Sequence, residues 1–505
     1  MKIYEIGLKG MSNQKVIIIG AGLGGLVCGA ILAKEGHDVT IVEKNPRVGG
    51  CLQSYQRNNA VFDTGMHIFG GMWEGGNIRR IFDYLGISKL LNFQNISSLN
   101  NIEIFVGNNK KRYSVSFNRE KFVGSLSSIF PNEKENLRTY IRKIDEVMAQ
   151  MNLFHLRSDR GINGINNTDF NLPVNQFISK YIGDERLAAL LGVLNILYAG
   201  EENITPAYLH SSISSIFFDG ACRIAGGYET LANALTSVIT NNGGKVIVNS
   251  KVAKINTDGN KVVSVLTTGG QFVRGNTFIL ASPLNELESL LDNPTLLSKT
   301  YKSFISSKKD SISSFIVNIS LKKGKIQYTN QVGFFIEDYD KAWEQGNGSD
   351  IHRFMYMTPP VVNQDHYAET LNVVAPLKWS SVAKWATSQH GARDKEYYVF
   401  KERLVDVIID KLSEIYPNLK DAIDYIDSAT PLTIRDFTGV RQGAMCGLKK
   451  DCKDVISFIP TYTKIQNLFL TGQSVNMHGF CGVTLTALQT CDSILGEDYL
   501  INKLN

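Results

Sequence analysis

Residues 15–50 read KVIIIGAGLGGLVCGAILAKEGHDVTIVEKNPRVGG, and this stretch decides the fold. The short β-branched run from Val16 to Ile19 predicts a strand that is buried on both faces. Glycines follow where that strand should end, an apolar helical pattern comes next, and Asp38 to Val42 predicts a second strand. The order strand, glycine turn, helix, strand indicates a βαβ unit with parallel strands.

The glycines of this turn form the pattern G-x-G-x-x-G at Gly20, Gly22 and Gly25. The first glycine permits the tight turn, the second lets the backbone approach a pyrophosphate, and the third lets the helix pack closely on the strand. The helix that begins near Gly24 directs free N–H groups and the positive end of its dipole at the phosphates. Glu43 ends the second strand, where a carboxylate can accept hydrogen bonds from an adenosine ribose. The stretch therefore predicts a dinucleotide site for NAD or FAD rather than NADP, with an ordinary βαβ crossover as the alternative.

The bulk composition describes an ordinary globular protein. The length of 505 residues allows about three domains, and 43% apolar with 20% charged residues provides ample core. A net charge of +5 without a block of lysines or arginines argues against a nucleic-acid partner. The seven cysteines form no C-x-x-C pair, so we expect neither a metal site nor a disulfide framework.

The sequence also carries signals about location. The segment Met1 to Gln14 lacks the apolar core of a signal peptide. The run from Val16 to Ala33 has the length of a membrane span, but its ordered glycines favour the nucleotide fold. The sequence therefore predicts a cytoplasmic protein whose membrane contact, if any, is peripheral.

Three further motifs accompany the opening stretch. The loop Arg47-Val-Gly-Gly50 suits a cover over a cofactor's phosphates, with a plain glycine turn as the alternative. Residues 62–71 read FDTGMHIFGG, where apolar residues alternate with glycines as in a strand or loop close to a flat ligand. Near the other end of the chain, a strand should end at Thr471-Gly-Gln473, and a helix should begin near Gly482.

The segments GAGLGGL, Glu43, RVGG and FDTGMH together resemble the phytoene desaturase-like flavoproteins, and most closely the branch of carotenoid isomerase and retinol saturase. This resemblance implies an α/β protein with a glutathione reductase-type FAD/NAD(P)-binding Rossmann fold. It also implies an inserted substrate domain, made of an antiparallel sheet and a helical cap, and a tightly bound FAD. Gly472-Gln473 agrees with that branch, since many other flavoproteins place an acid where Gln473 stands.

Pattern and resemblance together predict the site residues. The resemblance implies that Val252 lies by the adenine, that Gln473 holds the ribityl chain, and that the helix near Gly482 faces the flavin's N1–C2 carbonyl edge. His67 and His478 are the candidate catalytic residues, with a structural role as the alternative for each. The predicted FAD contacts are Gly20, Gly22, Leu23, Gly24, Gly25, Glu43, Lys44, Arg47, Gly49, Gly50, Val252, Gly472, Gln473, Gly482 and Val483.

The FAD-binding domain is predicted to be discontinuous, with residues 12–72, 223–290 and 455–505 in it. Residues 73–222 and 291–454 are predicted to form the substrate and cap domain. The first of these inserts reads as a helical cap with a hairpin at Ile102 to Phe117.

The second insert reads as four strands of an antiparallel pocket floor, at Ser313–Leu321, Gln331–Glu337, His352–Thr358 and Thr370–Pro376. Its aromatic residues should either line or back the pocket or form sheet core; they are Phe315, Phe334, Phe335, Phe354, Tyr356 and Trp379. Arg435, Asp436 and Arg441 are predicted to form an ion-pair network beside that pocket, with a surface salt bridge as the alternative.

The function implied by the resemblance is a FAD-dependent oxidoreductase that acts on an apolar carotenoid, retinoid or other isoprenoid polyene. Saturation, desaturation and cis-trans isomerisation of a C=C bond all remain open, and the flavin itself supplies the hydride chemistry. The alternatives are an amine oxidase and a non-catalytic prenyl carrier of the GDP-dissociation-inhibitor type. Only one dinucleotide fingerprint is present, so the electron donor or acceptor should bind transiently or be a quinone, oxygen or another protein.

Overall fold

The computed structural model describes residues 13–65, 67–96, 102–116, 118–158, 167–454 and 458–505. The strands are β1 (Lys15–Ile19), β2 (Asp38–Val42), β3 (Ser54–Arg57), β4 (Ala60–Asp63), β5 (Phe93–Asn95), β6 (Ile102–Val106), β7 (Lys111–Val115), β8 (Cys222–Ile224), β9 (Lys245–Ile247), β10 (Val252–Asp258), β11 (Lys261–Thr267), β12 (Phe272–Arg274), β13 (Thr277–Leu280), β14 (Ser313–Leu321), β15 (Val332–Ile336), β16 (Arg353–Met357), β17 (Thr370–Leu377), β18 (Ile423–Ala429) and β19 (Leu468–Leu470). The α-helices are α1 (Leu23–Lys34), α2 (Asn77–Leu85), α3 (Arg119–Ser127), α4 (Lys134–Met148), α5 (Val174–Tyr181), α6 (Glu185–Gly192), α7 (Ala207–Gly220), α8 (Glu229–Asn241), α9 (Leu287–Leu290), α10 (Lys299–Ser307), α11 (Lys395–Ile415), α12 (Leu419–Ala422), α13 (Pro431–Thr438), α14 (Gly479–Leu495) and α15 (Tyr499–Leu504).

A parallel sheet with the order β19-β13-β1-β2-β9 forms the nucleotide-binding layer. Helices α8 and α14 pack against α1, and β1 is almost wholly buried, as its β-branched sequence predicts. The strands come from three widely separated parts of the chain. Because the carboxyl ends of parallel strands meet at one edge, Gly20, Glu43, Ala281 and Thr471 come together there. The predicted α/β architecture is confirmed.

A smaller antiparallel sheet, β10-β11-β12, lies beside this layer. The sequence from Gln271 to Ala281 predicts one strand, but the chain forms β12 in the small sheet and β13 in the parallel sheet. Gly275 lies at the crossing, where an added Cβ would stand 2.5 Å from the Ile17 side chain. A side chain at position 275 would therefore clash with Ile17.

The substrate-side sheet has the order β18-β14-β17-β16-β15-β6-β7. The four strands predicted to form an antiparallel sheet, β14 to β17, pair antiparallel to one another as expected. The sheet also includes β6, which was not predicted to join it and runs parallel to β15, with Ile104 opposite Phe334. The two predicted inserts therefore share this sheet. The β6–β7 hairpin was expected at Ile102 to Phe117, of which Phe117 lies outside the described residues. The hairpin covers β15, which would otherwise be an edge strand of this sheet.

The two faces of this sheet pack against different partners. Phe334 and Met355 face the large core shared with the cap helices and the parallel sheet. Phe315, Phe335, Phe354 and Tyr356 face the other side and pack with α11, and Trp379 is a half-buried neighbour of that second cluster. For Phe315, Phe335, Phe354 and Tyr356, the alternative of sheet core is therefore the correct one. Among the helices of the described ranges, none is long and apolar enough to cross a bilayer.

Candidate functional site

The glycine turn after β1 has the geometry that its sequence predicts. The Gly20 N–H donates to the Val42 carbonyl at 2.8 Å, and Gly20 has a φ of +105°, which favours glycine. A Cβ on Gly25 would stand 2.1 Å from the Gly20 carbonyl oxygen. The turn and the close approach of α1 to β1 therefore both require glycine.

Glu43 is tied to this turn by its carboxylate. Oε2 accepts a hydrogen bond from the Ala21 N–H at 2.7 Å, and Oε1 accepts one from the Asn45 N–H at 2.8 Å. The residue is only 7% exposed. A carboxylate has about four acceptor positions, so Glu43 can still accept hydrogen bonds from a ribose.

The two ends of the chain meet beside the turn. A Cβ on Gly24 would stand 3.4 Å from the Gly472 Cα and 3.3 Å from Val483 Cγ1. The Gly49 N–H donates to the Ala21 carbonyl at 2.7 Å. The structure thus brings the glycine turn, the RVGG loop and the C-terminal motif into one place.

The backbone in this place leaves open space. A Cβ on Gly22 or on Gly472 would have no described atom within 4 Å. Two buried hydroxyls, Thr471 Oγ1 and Ser282 Oγ, have no hydrogen-bond partner among the described residues. A cradle of bare backbone with unsatisfied donors nearby is what a bound pyrophosphate and its attached groups would fill.

Three further predicted contacts, Leu23, Gln473 and Val252, lie near the turn. Leu23 opens α1, and Gln473 lies beside Gly447. Val252 begins β10 and is buried opposite Thr267. All three therefore lie on elements that surround the turn.

Two predicted basic contacts are engaged elsewhere. Arg47 is 48% exposed; its Nη1 donates to the Ser54 carbonyl at 2.9 Å and lies 3.5 Å from Glu229. The Lys44 Nζ lies only 3.0 Å from the point that a Cβ on Gly439 would occupy, just beyond α13. The structure therefore does not direct either charge into the glycine cradle.

Helix α14 begins at Gly479, three residues before the expected start at Gly482. His478 is its N-cap, and no acidic residue lies in the first turn. An added Cβ on Gly482 would stand 2.6 Å from Met477 Cβ, so this glycine is required for packing as well. The first turn leaves unpaired N–H groups and a positive dipole end beside Val483.

The two candidate histidines lie on segments that pack together, because the Phe69 and Phe480 rings are 4.2 Å apart. Burial, together with the charge of Arg223, lowers the pKa of His67 to about 4. Burial, together with the charge of Lys450, lowers the pKa of His478 to about 3. Both rings are therefore neutral at neutral pH.

Arg223 is a site residue that sequence reasoning missed. It is 1% exposed, and it donates to the carbonyls of Thr358 at 3.1 Å and Gln331 at 2.7 Å. No Asp or Glu of the described chain pairs with it, and burial lowers its pKa. The signal that could have found it is a lone charge within the apolar run Ala221 to Ala225. Arg223 places a buried positive charge beside His67.

The predicted ion-pair network is only partly correct. Asp436 accepts from Arg435 at 2.7 Å and also pairs with Arg393, which was not predicted. Arg441 pairs instead with Asp310 at 2.5 Å. The network therefore joins α13 to the loop before α11 and does not include Arg441.

The family profile described as flavin containing amine oxidoreductase matches residues 23–495. The chain belongs to the flavin-containing amine oxidoreductase family. FAD is therefore its cofactor, and the chain is a FAD-dependent oxidoreductase, as predicted. Among the described residues, no group of three His, Cys, Asp or Glu side chains could hold a metal ion.

Relatives within this family cover nearly the whole chain. An all-trans-retinol 13,14-reductase of Danio rerio is 25% identical over 95% of this chain and 85% of its own length. A prolycopene isomerase of an Oncidium hybrid cultivar is 24% identical over 91% of this chain and 79% of its own. A 4,4'-diaponeurosporene oxygenase of Staphylococcus haemolyticus is 24% identical over 96% of this chain and 97% of its own. These names support the predicted carotenoid isomerase and retinol saturase branch.

Solved structures support the same fold. An oxidoreductase from Methanosarcina mazei superimposes with a TM-score of 0.67 at 16% identity, over 95% of this chain and 100% of that one. Putrescine oxidase superimposes with a TM-score of 0.63 at 15% identity, over 96% and 99% of the two chains. At these identities the likeness shows the fold of flavin-containing amine oxidoreductases and nothing finer.

The residues present fit the family's cofactor. The bare backbone at Gly22 and Gly472 provides the cradle, and Glu43 stands at the adjacent strand end. Thr471 and Ser282 offer unsatisfied hydroxyls at the same sheet edge. None of these positions carries a side chain that would block a dinucleotide.

The neutral histidines give the protein a specific response to acid. His67, His478 and the buried His210 have folded pKa values of about 4, 3 and 3, below the ordinary value of 6.5. At a pH between the folded pKa of each histidine and 6.5, the unfolded chain binds more protons than the folded one. We therefore expect the free energy of unfolding to fall as the pH falls below 6.5. The expected slope is about 1.4 kcal/mol per pH unit for each histidine.

Urea unfolding followed from pH 7 to pH 5 measures this slope, above the range in which most carboxylates titrate. The His478→Gln variant has no imidazole to protonate at position 478 in the unfolded chain. The slope of its unfolding free energy against pH should therefore be shallower by about 1.4 kcal/mol per pH unit. An unchanged slope in this variant would contradict the neutral state of His478.

Proposed function

We propose that this flavin-containing amine oxidoreductase saturates a C=C bond of a neutral isoprenoid polyene of the retinoid or carotenoid class. The observation that carries the proposal is likeness over 95% of the chain to an all-trans-retinol 13,14-reductase. The reaction adds a hydride to one carbon and a proton, taken up from solvent water, to the other. When bound, FAD in its reduced form supplies the hydride.

The chain's own residues suit an apolar substrate. Phe334, Met355, Met357 and Val374 belong to the core cluster on the cap-facing side of the large sheet. They pack with apolar cap residues, and such walls exclude water from a hydride donor. A polyene needs this shape and dryness more than it needs a charged partner.

The charges around the site suit the developing negative charge of the reaction. The first turn of α14 offers unpaired N–H groups, and Arg223 supplies a buried cation beside His67. We propose that these groups stabilise the negative charge that accompanies the reduced state of the cofactor. The same positive environment disfavours a cationic amine substrate, so the amine oxidase alternative is weaker.

Isomerisation of a polyene is the second candidate. The neutral state of His67 and His478 favours it, because neither imidazole carries the proton that saturation needs. A cis-trans isomerisation has no net uptake of a proton. A prolycopene isomerase is among the relatives, over 91% of this chain.

The proposal also covers the FAD contacts, the bounds of the FAD domain and the location of the protein. The FAD contacts are the predicted set, with the weakest support for Lys44 and Arg47, whose side chains are engaged outside the cradle. The discontinuous FAD domain at residues 12–72, 223–290 and 455–505 is also part of the proposal. The proposal also includes a cytoplasmic location with peripheral contact to a membrane, because a substrate of this class partitions into lipid.

Product mass separates the possible reactions. Chemically reduced and oxidised holoprotein are incubated anaerobically with all-trans-retinol, with a cis-carotenoid and with phytoene. We expect reduced protein to yield a retinoid or carotenoid that has gained two hydrogen atoms. An unchanged mass with a new retention time would instead establish isomerisation, and a loss of two hydrogen atoms by oxidised protein would establish desaturation. Turnover of none of these compounds, with turnover of a primary amine, would refute the proposal.

A further inference from the structure

A small cavity lies where the cap, the substrate-side sheet and the C-terminal flavin motif meet. Its wall includes Tyr198 and Ala199 of the cap, Ser311 just before β14, and His478, the N-cap of α14. Lys450, in the chain between α13 and β19, also lines it. The cavity has a volume of about 10 Å³, which is room for about one water molecule.

The loop that carries Lys450 runs along the predicted FAD contacts. An added Cβ on Gly447 would stand 3.0 Å from Gln473 Cγ and 2.8 Å from Ser474 Oγ. Met445 of the same loop packs against the large core that contains the apolar walls of the substrate side. The loop therefore places a charged side chain beside both the flavin motif and the proposed polyene site.

Lys450 is a buried amine whose proton is held loosely. The residue is 4% exposed, and its Nζ lies 5.3 Å from the centroid of the Phe458 ring. Burial, together with the charge of Lys308, lowers the pKa of Lys450 to about 7, against the opposing charge of Asp454. At neutral pH the amine is therefore protonated in about half of the molecules, which suits a group that gives and takes protons.

The other charged groups near Lys450 have partners of their own. Lys308 pairs with Asp454, and Lys449 pairs with Glu201 at 2.6 Å. Lys449 also lines the cavity, and the side chains of its ion pair are 20% and 17% exposed. Solvent therefore reaches the edge of the cavity at this pair, where Lys450 can recover a proton from water.

The proposed saturation needs a proton that the two candidate histidines do not hold. The pKa of His67 is about 4 and that of His478 about 3, so both rings are neutral at neutral pH. A water molecule in the cavity has Lys450, His478 and Ser311 as hydrogen-bond partners, and about three such partners are typical of a buried water. This arrangement connects the Lys450 amine to the start of α14.

We infer that the Lys450 ammonium donates, through this water, the proton that saturation of the polyene requires. The hydride from reduced FAD forms one C–H bond, and the proton forms the other as the π bond breaks. The neutral Lys450 amine then takes a proton from solvent water. The inference rests on the proposed function, and it names the residue that passes the solvent proton to the substrate.

The pH dependence of product formation in a single turnover of reduced holoprotein tests the inference. The protonated amine is the active form, so the wild-type rate should fall as the pH rises through about 7. Lys450→Met should lower the rate about 100-fold or more and remove this fall. Lys450→Arg keeps the charge but does not release its proton, so it should be equally slow. Recovery of the wild-type rate by arginine would overturn the inference, because it would assign Lys450 a purely electrostatic role.

Two further lysines provide a directional variant and a control. Removing the charge of Lys308 should raise the pKa of Lys450. Lys308→Met should therefore move the fall in rate to higher pH without lowering the maximal rate. Lys453 is an exposed residue of the same loop, and Lys453→Met should leave both the rate and its pH profile unchanged. A Lys308→Met profile that coincides with the wild-type profile would overturn the inference.

A measurement without turnover follows the amine itself. Oxidised holoprotein with carbon-13 at the Cε of its lysines should show one NMR resonance that titrates near pH 7 and is absent from Lys450→Met. The ordinary pKa of a lysine is about 10.4. A midpoint at that value for Lys450 would overturn the inference, because the amine would then hold its proton too tightly at neutral pH.

These outcomes also separate the two proposals. If the wild-type protein gives no polyene a gain of two hydrogen atoms, the proposed function fails and this inference falls with it. If the wild-type protein forms that product, and Lys450→Met forms it at the same rate with the same pH profile, the function stands and only this inference falls.

Discussion

Gly22→Ala should yield a protein that folds but binds FAD about five- to 150-fold more weakly. Gly22 is the N-cap of α1 with φ −74° and ψ 178°, a backbone that alanine also adopts, and its added Cβ would meet no described atom within 4 Å. The fold should therefore lose no more than about 1 kcal/mol, the usual cost of a poorer N-cap. The open space is where we place the pyrophosphate, and overpacking costs about 1–3 kcal/mol, or roughly a five- to 150-fold loss of FAD affinity.

The ratio of flavin to protein absorbance after purification, titration of apoprotein with FAD, and thermal unfolding together measure this outcome. Gly25→Ala provides the contrast, because its Cβ would stand 2.1 Å from the Gly20 carbonyl oxygen and should cost the fold itself several kcal/mol. Gly124→Ala, in the interior of α3 with no neighbour within 4 Å, should leave FAD affinity unchanged and stabilise the fold by about 0.5–1 kcal/mol. Wild-type FAD affinity in the Gly22→Ala protein would refute the placement of the pyrophosphate.

The parts of the fold that local patterns determine could be predicted from the sequence. The strand β2 has the predicted bounds Asp38–Val42, and β14 has the predicted bounds Ser313–Leu321. Alternation, β-branching and turn glycines are properties of neighbouring residues, so they can be read without the tertiary structure. The split between β12 and β13 could not be read in this way, because β12 pairs with β11 whereas β13 pairs with the distant β1.

Which face of a sheet borders the site is also a tertiary property. Phe334 and Phe335 are neighbours and must point to opposite faces, which the sequence shows. Only packing of α11 on one side assigns Phe335 to the core cluster away from the cap. The parallel pairing of β6 with β15 is equally hidden, since it joins segments far apart in the chain.

The site was predictable where backbone chemistry defines it and unpredictable where burial does. Gly20, Gly25 and Glu43 occupy the expected places because a dinucleotide turn demands them locally. The neutral state of His67 and the isolated charge of Arg223 both follow from neighbours that only folding brings together. The positive charge in the site argues against a cationic amine substrate, and it could be recognised only from the structure.

Glu43→Gln is expected to weaken FAD binding by about tenfold or more, through the turn as well as through the ribose. Glu43 accepts the Ala21 N–H on one oxygen and the Asn45 N–H on the other. An amide keeps one oxygen, so its NH₂ group must face one of these backbone donors. Leaving a buried donor unsatisfied costs about 1–3 kcal/mol, and a displaced Ala21 would also move the adjoining Gly22. Urea unfolding and FAD titration of the apoprotein measure the two effects.

Glu35→Gln makes the same chemical change near the other end of α1 and serves as the control. Glu35 is the C-cap of that helix and accepts from Tyr499 and Lys503 at 2.6 and 2.5 Å. Losing its charge should lower the free energy of unfolding without affecting FAD affinity, since none of these partners lies in the cradle. If both variants lost FAD to the same degree, the effect at Glu43 would be one of general stability. If Glu43→Gln kept full affinity, neither the ribose contact nor the coupling of Glu43 to the turn would hold.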